Sequence, residues 1–319
     1  MQLRAFGKVG LLVCCVFWAA CLGCKSAPGD LWGTTGKLRV VCTVVPLHCL
    51  TATIAGDDAE VRCLLTSVGP HEFHPSPMEA RLISGADMLI ANGLGLEPFL
   101  ESLVRNAGNR RLRVVRVGET LPEDRYIYRA AQRHGDHVHP AGRDPHVWLG
   151  IDEAVLMAKS IAKQLSDLDP KNKDRYLERC RNCCDRLEHL RQKGQSLRGL
   201  KFVSFHDSFR YFARSFGMDM VGSIRGTEGE DLGPEVTRQA EEFRKKGVQV
   251  IGVEPQYSRK QAENLARVIG PGVRIIELDP VETGPDKGLF WVEPDYYFRR
   301  LQENIDNLLG TLESRRASP

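Results

Sequence analysis

A chain of 319 residues is too long for one small core and, at ordinary domain size, suggests two lobes of roughly 100 to 150 residues each. Apolar residues at 42% and charged residues at 27% fit an ordinary globular body rather than a disordered or membrane-embedded chain. The formal net charge of +3 is small for this length, and no long basic stripe interleaved with aromatics appears, so nucleic acid is set aside as a partner.

Arg4 and Lys8 precede an apolar run over 9–22 that is too short and too early for a spanning helix, and it reads as a secretory signal. The run ends in Cys21-Leu22-Gly23-Cys24-Lys25-Ser26. A small residue just before a cysteine resembles the lipobox of bacterial lipoproteins, which makes Cys24 the expected lipidation site and a lipid anchor the expected hold on the membrane. Cys21, after Ala19-Ala20, is the other cleavage point, and a plain secretory peptide is the other reading. Residues 25–36 are rich in Gly, Thr and Pro and read as a tether, with the fold expected from Lys37 onward.

From there short apolar runs alternate with helix-like stretches: strands over 38–45, 60–65, 88–91 and 113–117, helices over 47–55, 77–84 and 97–106. Strand and helix in alternation imply a parallel α/β sheet, giving a first lobe over 37–150. Residues 151–169 carry apolar positions at helical spacing, and Asp169-Pro170 then supplies an N-cap and a first-turn proline. The helix begun there, 170–196, is long enough to link two lobes. Alternation resumes over 197–319, with strands near 201–205, 221–223, 248–253 and 273–278, and a closing amphipathic helix over 294–312. The expected fold is therefore two parallel-sheet α/β lobes joined by a single long helix, with a ligand site in the cleft between them.

Ten cysteines are present; Cys42, Cys49, Cys63, Cys180, Cys183 and Cys184 lie beyond the signal and anchor. Cys42 and Cys63 fall in strand-like runs, where free cysteine behaves as a small buried hydrophobe. Cys180-Arg181-Asn182-Cys183 has the spacing of half a zinc knuckle, but no second such pair exists beyond the signal and anchor to complete four ligands, and Cys180 and Cys184 are expected on the core face of the long helix.

Loops at the carboxyl ends of parallel strands are where α/β proteins place ligands. Four such ends carry imidazole or carboxylate: His71 in Pro70-His71-Glu72-Phe73-His74, His146 in Asp144-Pro145-His146-Val147-Trp148, His206 in Phe205-His206-Asp207, and Asp279 before Pro280. Three histidines and one aspartate can close a tetrahedral site for a dication of the zinc type, whereas Mg²⁺ and Ca²⁺ do not select imidazoles. Glycines at Asn92-Gly93-Leu94-Gly95 lack the third glycine of a dinucleotide loop, and no GxSxG elbow or HExxH helix appears.

Taken together, Pro70-His71-Glu72-Phe73, Asn92-Gly93-Leu94-Gly95-Leu96-Glu97-Pro98, Asp144-Pro145-His146-Val147-Trp148-Leu149, Phe205-His206-Asp207-Ser208 and Glu254-Pro255-Gln256-Tyr257 resemble the cluster 9 (A-I) substrate-binding proteins of zinc and manganese ABC importers, of the treponemal metal-binding lipoprotein type. The resemblance covers nearly the whole chain after the signal. It implies two α/β lobes on one rigid helix, with metal held between them, and an ABC importer permease and its ATPase subunits as partners of a monomeric receptor. It favours His71 over His74 and places Asp279 as fourth ligand. Histidine at position 206, where manganese-type members often have glutamate, implies Zn²⁺ as cargo, with Mn²⁺ or Fe²⁺ as the alternatives. His134, His137 and His139, in a polar stretch before the His146 motif, resemble the histidine-rich loops of zinc receptors and are expected as an auxiliary metal site. A metal-dependent hydrolase is the rival reading, but it needs an open coordination position and a general base. A surface adhesin with a structural metal is the other.

Overall fold

The computed structural model describes residues 31–33, 35–70, 72–130, 132–134, 137–139, 141–224, 234–285 and 290–316. These residues all belong to one compact unit, Leu31–Pro319. The first lobe runs β1 (Leu38–Cys42), α1 (Val45–Ala55), β2 (Ala59–Cys63), α2 (Pro77–Ser84), β3 (Met88–Ala91), α3 (Leu100–Ala107) and β4 (Arg113–Arg116). Its strands are all parallel, in the order β2-β1-β3-β4. Helices cover both faces of such a sheet, so its central strand β3, Met-Leu-Ile-Ala, is buried at every position instead of alternating. A capping box starts α2: Ser76 Oγ accepts the Met78 N–H at 3.2 Å, and Glu79 Oε2 accepts the Ser76 N–H at 2.7 Å.

Four short strands come next: β5 (Tyr128–Arg129), β6 (Gln132–His134), β7 (His137–His139) and β8 (Gly142–Arg143). The histidine-rich stretch expected as a loop is thus an antiparallel hairpin, with His134 opposite His137 and Gln132 opposite His139. Helices α4 (Ile151–Leu168) and α5 (Lys173–Lys193) lead to the second lobe: β9 (Lys201–Ser204), α6 (Arg210–Phe216), β10 (Asp219–Ser223), α7 (Pro234–Lys246), β11 (Val250–Val253), α8 (Arg259–Ile269), β12 (Arg274–Glu277) and α9 (Tyr296–Arg316). Its strands are again parallel, in the order β10-β9-β11-β12. Both sheets therefore reverse strand order at the same place, between the first strand and the third.

The two lobes share one core. Along α5 the buried residues Tyr176, Cys180, Cys183, Leu187 and Leu190 recur every three or four positions, which makes one apolar stripe. That stripe packs against α1, α4 and α9, and the resulting cluster runs from Val40 and Ile90 in the first lobe to Phe202 and Leu301 in the second. Cys183 is buried with Cys180, whereas Cys184 is only half-buried. At helical pitch both lie close to the Cys180 face, and packing against the neighbouring helices decides which goes inside. Separate apolar clusters close the outer face of each lobe, around Leu82 and Phe99 in one and Phe243 and Leu265 in the other.

Ordered packing begins earlier than Lys37. Trp32, expected in the tether, is only 5% exposed. Its indole N–H donates to Leu82 O at 2.9 Å, and the guanidinium groups of Arg39 and Arg62 lie 5.9 and 5.7 Å from its ring. Gly85 makes room for the ring, since a Cβ there would sit 2.9 Å from it. Glu60 ties down the residue after the indole by accepting the Gly33 N–H at 3.0 Å. Among the described residues no helix is long and apolar enough to cross a membrane.

Candidate metal centre

The second sheet presents His206 just beyond β9, at its point of strand reversal, where loops from β9 and β11 part and leave a crevice. Glu254, at the end of β11, is fully buried, and its Oε1 accepts the His206 N–H at 2.8 Å. Glu254 Oε2 lies 3.8 Å from His206 Nδ1 and accepts Gln256 Nε2 at 3.1 Å. Burial, with the charges of Glu282 and Asp279 adding, pushes the Glu254 carboxyl well above the usual range, although the His206 N–H and the His146 ring oppose this. Ser204 Oγ donates to His206 O at 2.5 Å. Asp207, next in sequence, is turned to Arg210 in a bidentate pair with both contacts at 2.7 Å.

His146 is set by its neighbours on both sides. The turn after β3 runs left-handed through Gly93, Leu94 and Gly95, and its first amides gather on the buried carboxylate of Glu97, which accepts Asn92 N–H at 2.7 Å and Gly93 N–H at 2.9 Å. Asn92 Nδ2 in turn donates to Pro145 O at 3.0 Å. From the second lobe Tyr211 Oη donates to Asp144 O at 3.2 Å, and the Tyr297 hydroxyl donates to Trp148 O. Asp144 Oδ1 accepts the His146 N–H at 3.0 Å and lies 2.8 Å from ring Nδ1. The Trp148 ring meets that of His146 edge to face at 5.4 Å.

With Nδ1 engaged, Nε2 of His146 is left facing the second lobe, 3.2 Å from Glu282 Oε1. Glu282 Oε1 is also 3.6 Å from His206 Nδ1, and the two imidazoles stand 4.9 Å apart at 83°. One ligating atom from each of His146, His206 and Glu282 lies within 4.8 Å of the other two, and all three residues are buried. Among the described residues the buried Nε2 of His146 makes no hydrogen bond; two imidazoles and a carboxylate aimed at one point are the donor set of a zinc-type dication. Burial alone would push the His146 ring down, but the charge and hydrogen bond of Asp144, reinforced by Glu282, hold it up at about 10. Burial would likewise raise Asp144, yet His146 beside it keeps that carboxyl below its ordinary range. The cluster thus draws positive charge into a buried place, as a proton or as a metal ion.

Of the residues singled out in the sequence, His146 and His206 are brought together. Asp279 is not brought to them. It is buried three residues before Glu282, and its carboxylate accepts the Val281 N–H at 2.7 Å through Oδ1 while Oδ2 lies 3.3 Å from Arg300 Nε. Burial, with Glu277 and Glu282 adding, pushes it up to about 6 against the pull of the Val281 N–H and Arg300. Glu282 takes the place beside the histidines, and the sequence held one hint of this: an aspartate directly before proline is a turn former whose oxygens bond to its own backbone two residues on. His74 is exposed. His134, His137 and His139 lie on β6 and β7. His71 and Cys24 fall outside the described residues.

Comparison with known proteins bears on the family and the fold. Residues 40–310 match the family described as zinc-uptake complex component A, periplasmic (ZnuA). Over 298 residues the chain is 30% identical to the metal ABC transporter substrate-binding lipoprotein FimA of Streptococcus parasanguinis, covering 88% of this chain and 91% of that one. Among solved structures, FpvC of Pseudomonas aeruginosa in complex with Mn²⁺ superposes with a TM-score of 0.73 at 22% identity, over 88% of this chain and 99% of that one, a likeness of fold. A Zn(II)-bound mutant variant of AdcAII of Streptococcus pneumoniae gives 0.66 at 26% identity, over 86% and 99%. The chain belongs to the ZnuA family and is an extracytoplasmic, metal-binding substrate-binding protein of ABC metal importers, not an enzyme.

Proposed function

We propose that the cargo is Zn²⁺, held by His146, His206 and Glu282 with His71 as fourth ligand, and passed to the permease of an ABC importer driven by its ATPase subunits. The observation that carries this reading is the buried convergence of two imidazoles and a single carboxylate. With a third imidazole from His71 the donors are mostly nitrogen, which suits tetrahedral Zn²⁺ better than Mn²⁺, an ion at home among more oxygens and in higher coordination. Mn²⁺ and Fe²⁺ are the competing cargoes. The lobes over 37–150 and 197–319 each supply ligands, so the bound ion ties them together across the 170–196 helix. Lipidation at Cys24 holds the monomeric receptor at the membrane beside its permease, and His134, His137 and His139 on the hairpin gather metal nearby.

The test is metal analysis by mass spectrometry of protein purified without added metal, joined to calorimetric titrations with Zn²⁺ and Mn²⁺. One equivalent of zinc is expected. His146→Ala lowers Zn²⁺ affinity by more than the roughly 10- to 100-fold that loss of a ligand's hydrogen-bond partner costs. Unchanged binding by His146→Ala sinks the site assignment, and a preference for Mn²⁺ in direct competition sinks the cargo.

A further inference from the structure

The turn that delivers Glu282 is fixed at successive backbone groups. Asn304 on α9 takes both groups of residue 279: the Asp279 N–H donates to Asn304 Oδ1 at 2.9 Å, and Asn304 Nδ2 donates to Asp279 O at 2.8 Å. The Pro280 carbonyl accepts the Trp148 indole N–H at 2.8 Å, and the Val281 N–H donates to Asp279 Oδ1. Val281 itself sits at φ +60°. For a β-branched residue that left-handed conformation is an outlier, and it persists only where the surroundings over-determine it. Asn304 is 2% exposed and Val281 fully buried, so the clamp is part of the packed core.

Two carboxylates three residues apart come after β12, and either stands near enough to a strand end to serve a cation. The contacts treat them differently. Asp279 is used up by the turn: one oxygen on Val281, the other facing Arg300, whose guanidinium is steadied by Glu303 at 2.6 Å and by the Tyr296 hydroxyl, 3.3 Å from Nε. Glu282, beyond the left-handed residue, meets both imidazoles. Arg300 and Asn304 are four apart on α9 and so act from one face on one residue.

We propose that Arg300 and Asn304 are positioning residues of the metal centre: by holding Asp279 inside the turn they assign the ligand role to Glu282 and keep the site to one carboxylate. The inference rests on the metal reading above. Its consequence is selectivity, because an Asp279 set free beside Glu282 adds a second hard oxygen donor and moves the site toward Mn²⁺.

The experiment is a double-mutant cycle on the full chain, with Zn²⁺ affinity read against a competing chelator for the unsubstituted protein, Glu282→Gln, Arg300→Met and the combination. Glu282→Gln is expected to cost at least about tenfold less in the Arg300→Met background, where Asp279 reaches the cation. Adding Asp279→Asn to the combination then removes the recovered binding. The visible absorption of Co²⁺-loaded Arg300→Met changes, and Arg300→Lys, which keeps the charge, restores the original spectrum. Asn304→Ala replaces Arg300→Met in the cycle if that variant does not fold. An equal penalty for Glu282→Gln in both backgrounds, with an unchanged Co²⁺ spectrum, overturns the proposal. Failure of the metal reading itself looks different: Glu282→Gln and His146→Ala then both leave Zn²⁺ affinity intact.

Discussion

Asp144 Oδ1 contacts His146 twice, at the backbone N–H (3.0 Å) and at ring Nδ1 (2.8 Å), so one buried oxygen sets both the rotation of the ring and the nitrogen left for a cation. A carboxylate behind a metal-binding imidazole fixes its tautomer and raises its basicity. Asp144→Asn keeps the size of the side chain and removes the charge. Zn²⁺ affinity is expected to fall by roughly 10- to 100-fold, measured by chelator competition; a change under about twofold contradicts the role given to Asp144.

His48 on α1 is buried, with Nε2 2.8 Å from Val292 O. Burial pushes its ring down to about 4, with the nearby Arg62 charge helping and the backbone hydrogen bonds opposing. Unfolded, the same ring titrates near 6.5, so between about pH 6.5 and 4 the unfolded chain holds a proton the folded chain refuses. The contribution of His48 is therefore complete above pH 6.5 and is lost as pH falls toward 4, by roughly 3 kcal/mol over the window. Urea unfolding of metal-free protein at pH 7 and pH 4.5 measures it, and His48→Gln should flatten the difference. A slope unaltered by that substitution places the effect on other groups.

Trp32 joins the chain before β1 to the core cluster around Leu82. Trp32→Ala should cost about 3 kcal/mol, the lower end for emptying a buried aromatic site. A denaturant melt followed by far-UV circular dichroism checks this. A loss below about 0.5 kcal/mol, typical of a surface change, means the indole only rests on the body.

The thiols divide by burial. Cys42 and Cys49 are pushed up to about 12 by burial, and Cys63 rises for the same reason. Cys184 is half-buried, and a hydrogen bond from Cys180 lowers it to about 7. Iodoacetamide at pH 8 should label Cys184 first, with Cys42, Cys49 and Cys63 reacting only on unfolding. Peptide mass mapping decides, and early labelling of Cys63 counts against a closed first lobe.

Much of this architecture is legible in the sequence because parallel strands buried on two faces are short and continuously apolar, as in Met88–Ala91 and Val250–Val253. His206 is legible for the same reason, since the polar residue that ends a buried strand stands where ligands bind. Asp279 shows the limit of that rule. It comes two residues after the end of β12, but its carboxylate is drawn into the turn, and the path of the chain through Val281 at φ +60° brings Glu282 to the histidines. Nothing periodic announces such a residue. Trp32 is hidden likewise, as one aromatic in a run of Gly and Thr has no pattern, and its partner Leu82 lies fifty residues on. The pairing of Asp144 with His146 was within reach, two residues apart on a tight turn; the pairing of His206 with Glu254 needed the strand order of the second sheet.

The segment 144–148 belongs by chain order to the first lobe, but three of its hydrogen bonds run to Tyr211, Pro280 and Tyr297 of the second. The molecule is therefore not modular at its apparent seam. A fragment ended after α4 would carry His146 on a segment stripped of three of its anchors, while the complementary fragment would bare two tyrosine hydroxyls and a carbonyl that are now paired inside. A chimera of this chain with a relative is therefore expected to keep that packing only where the crossover leaves the segment and its three anchors with one parent.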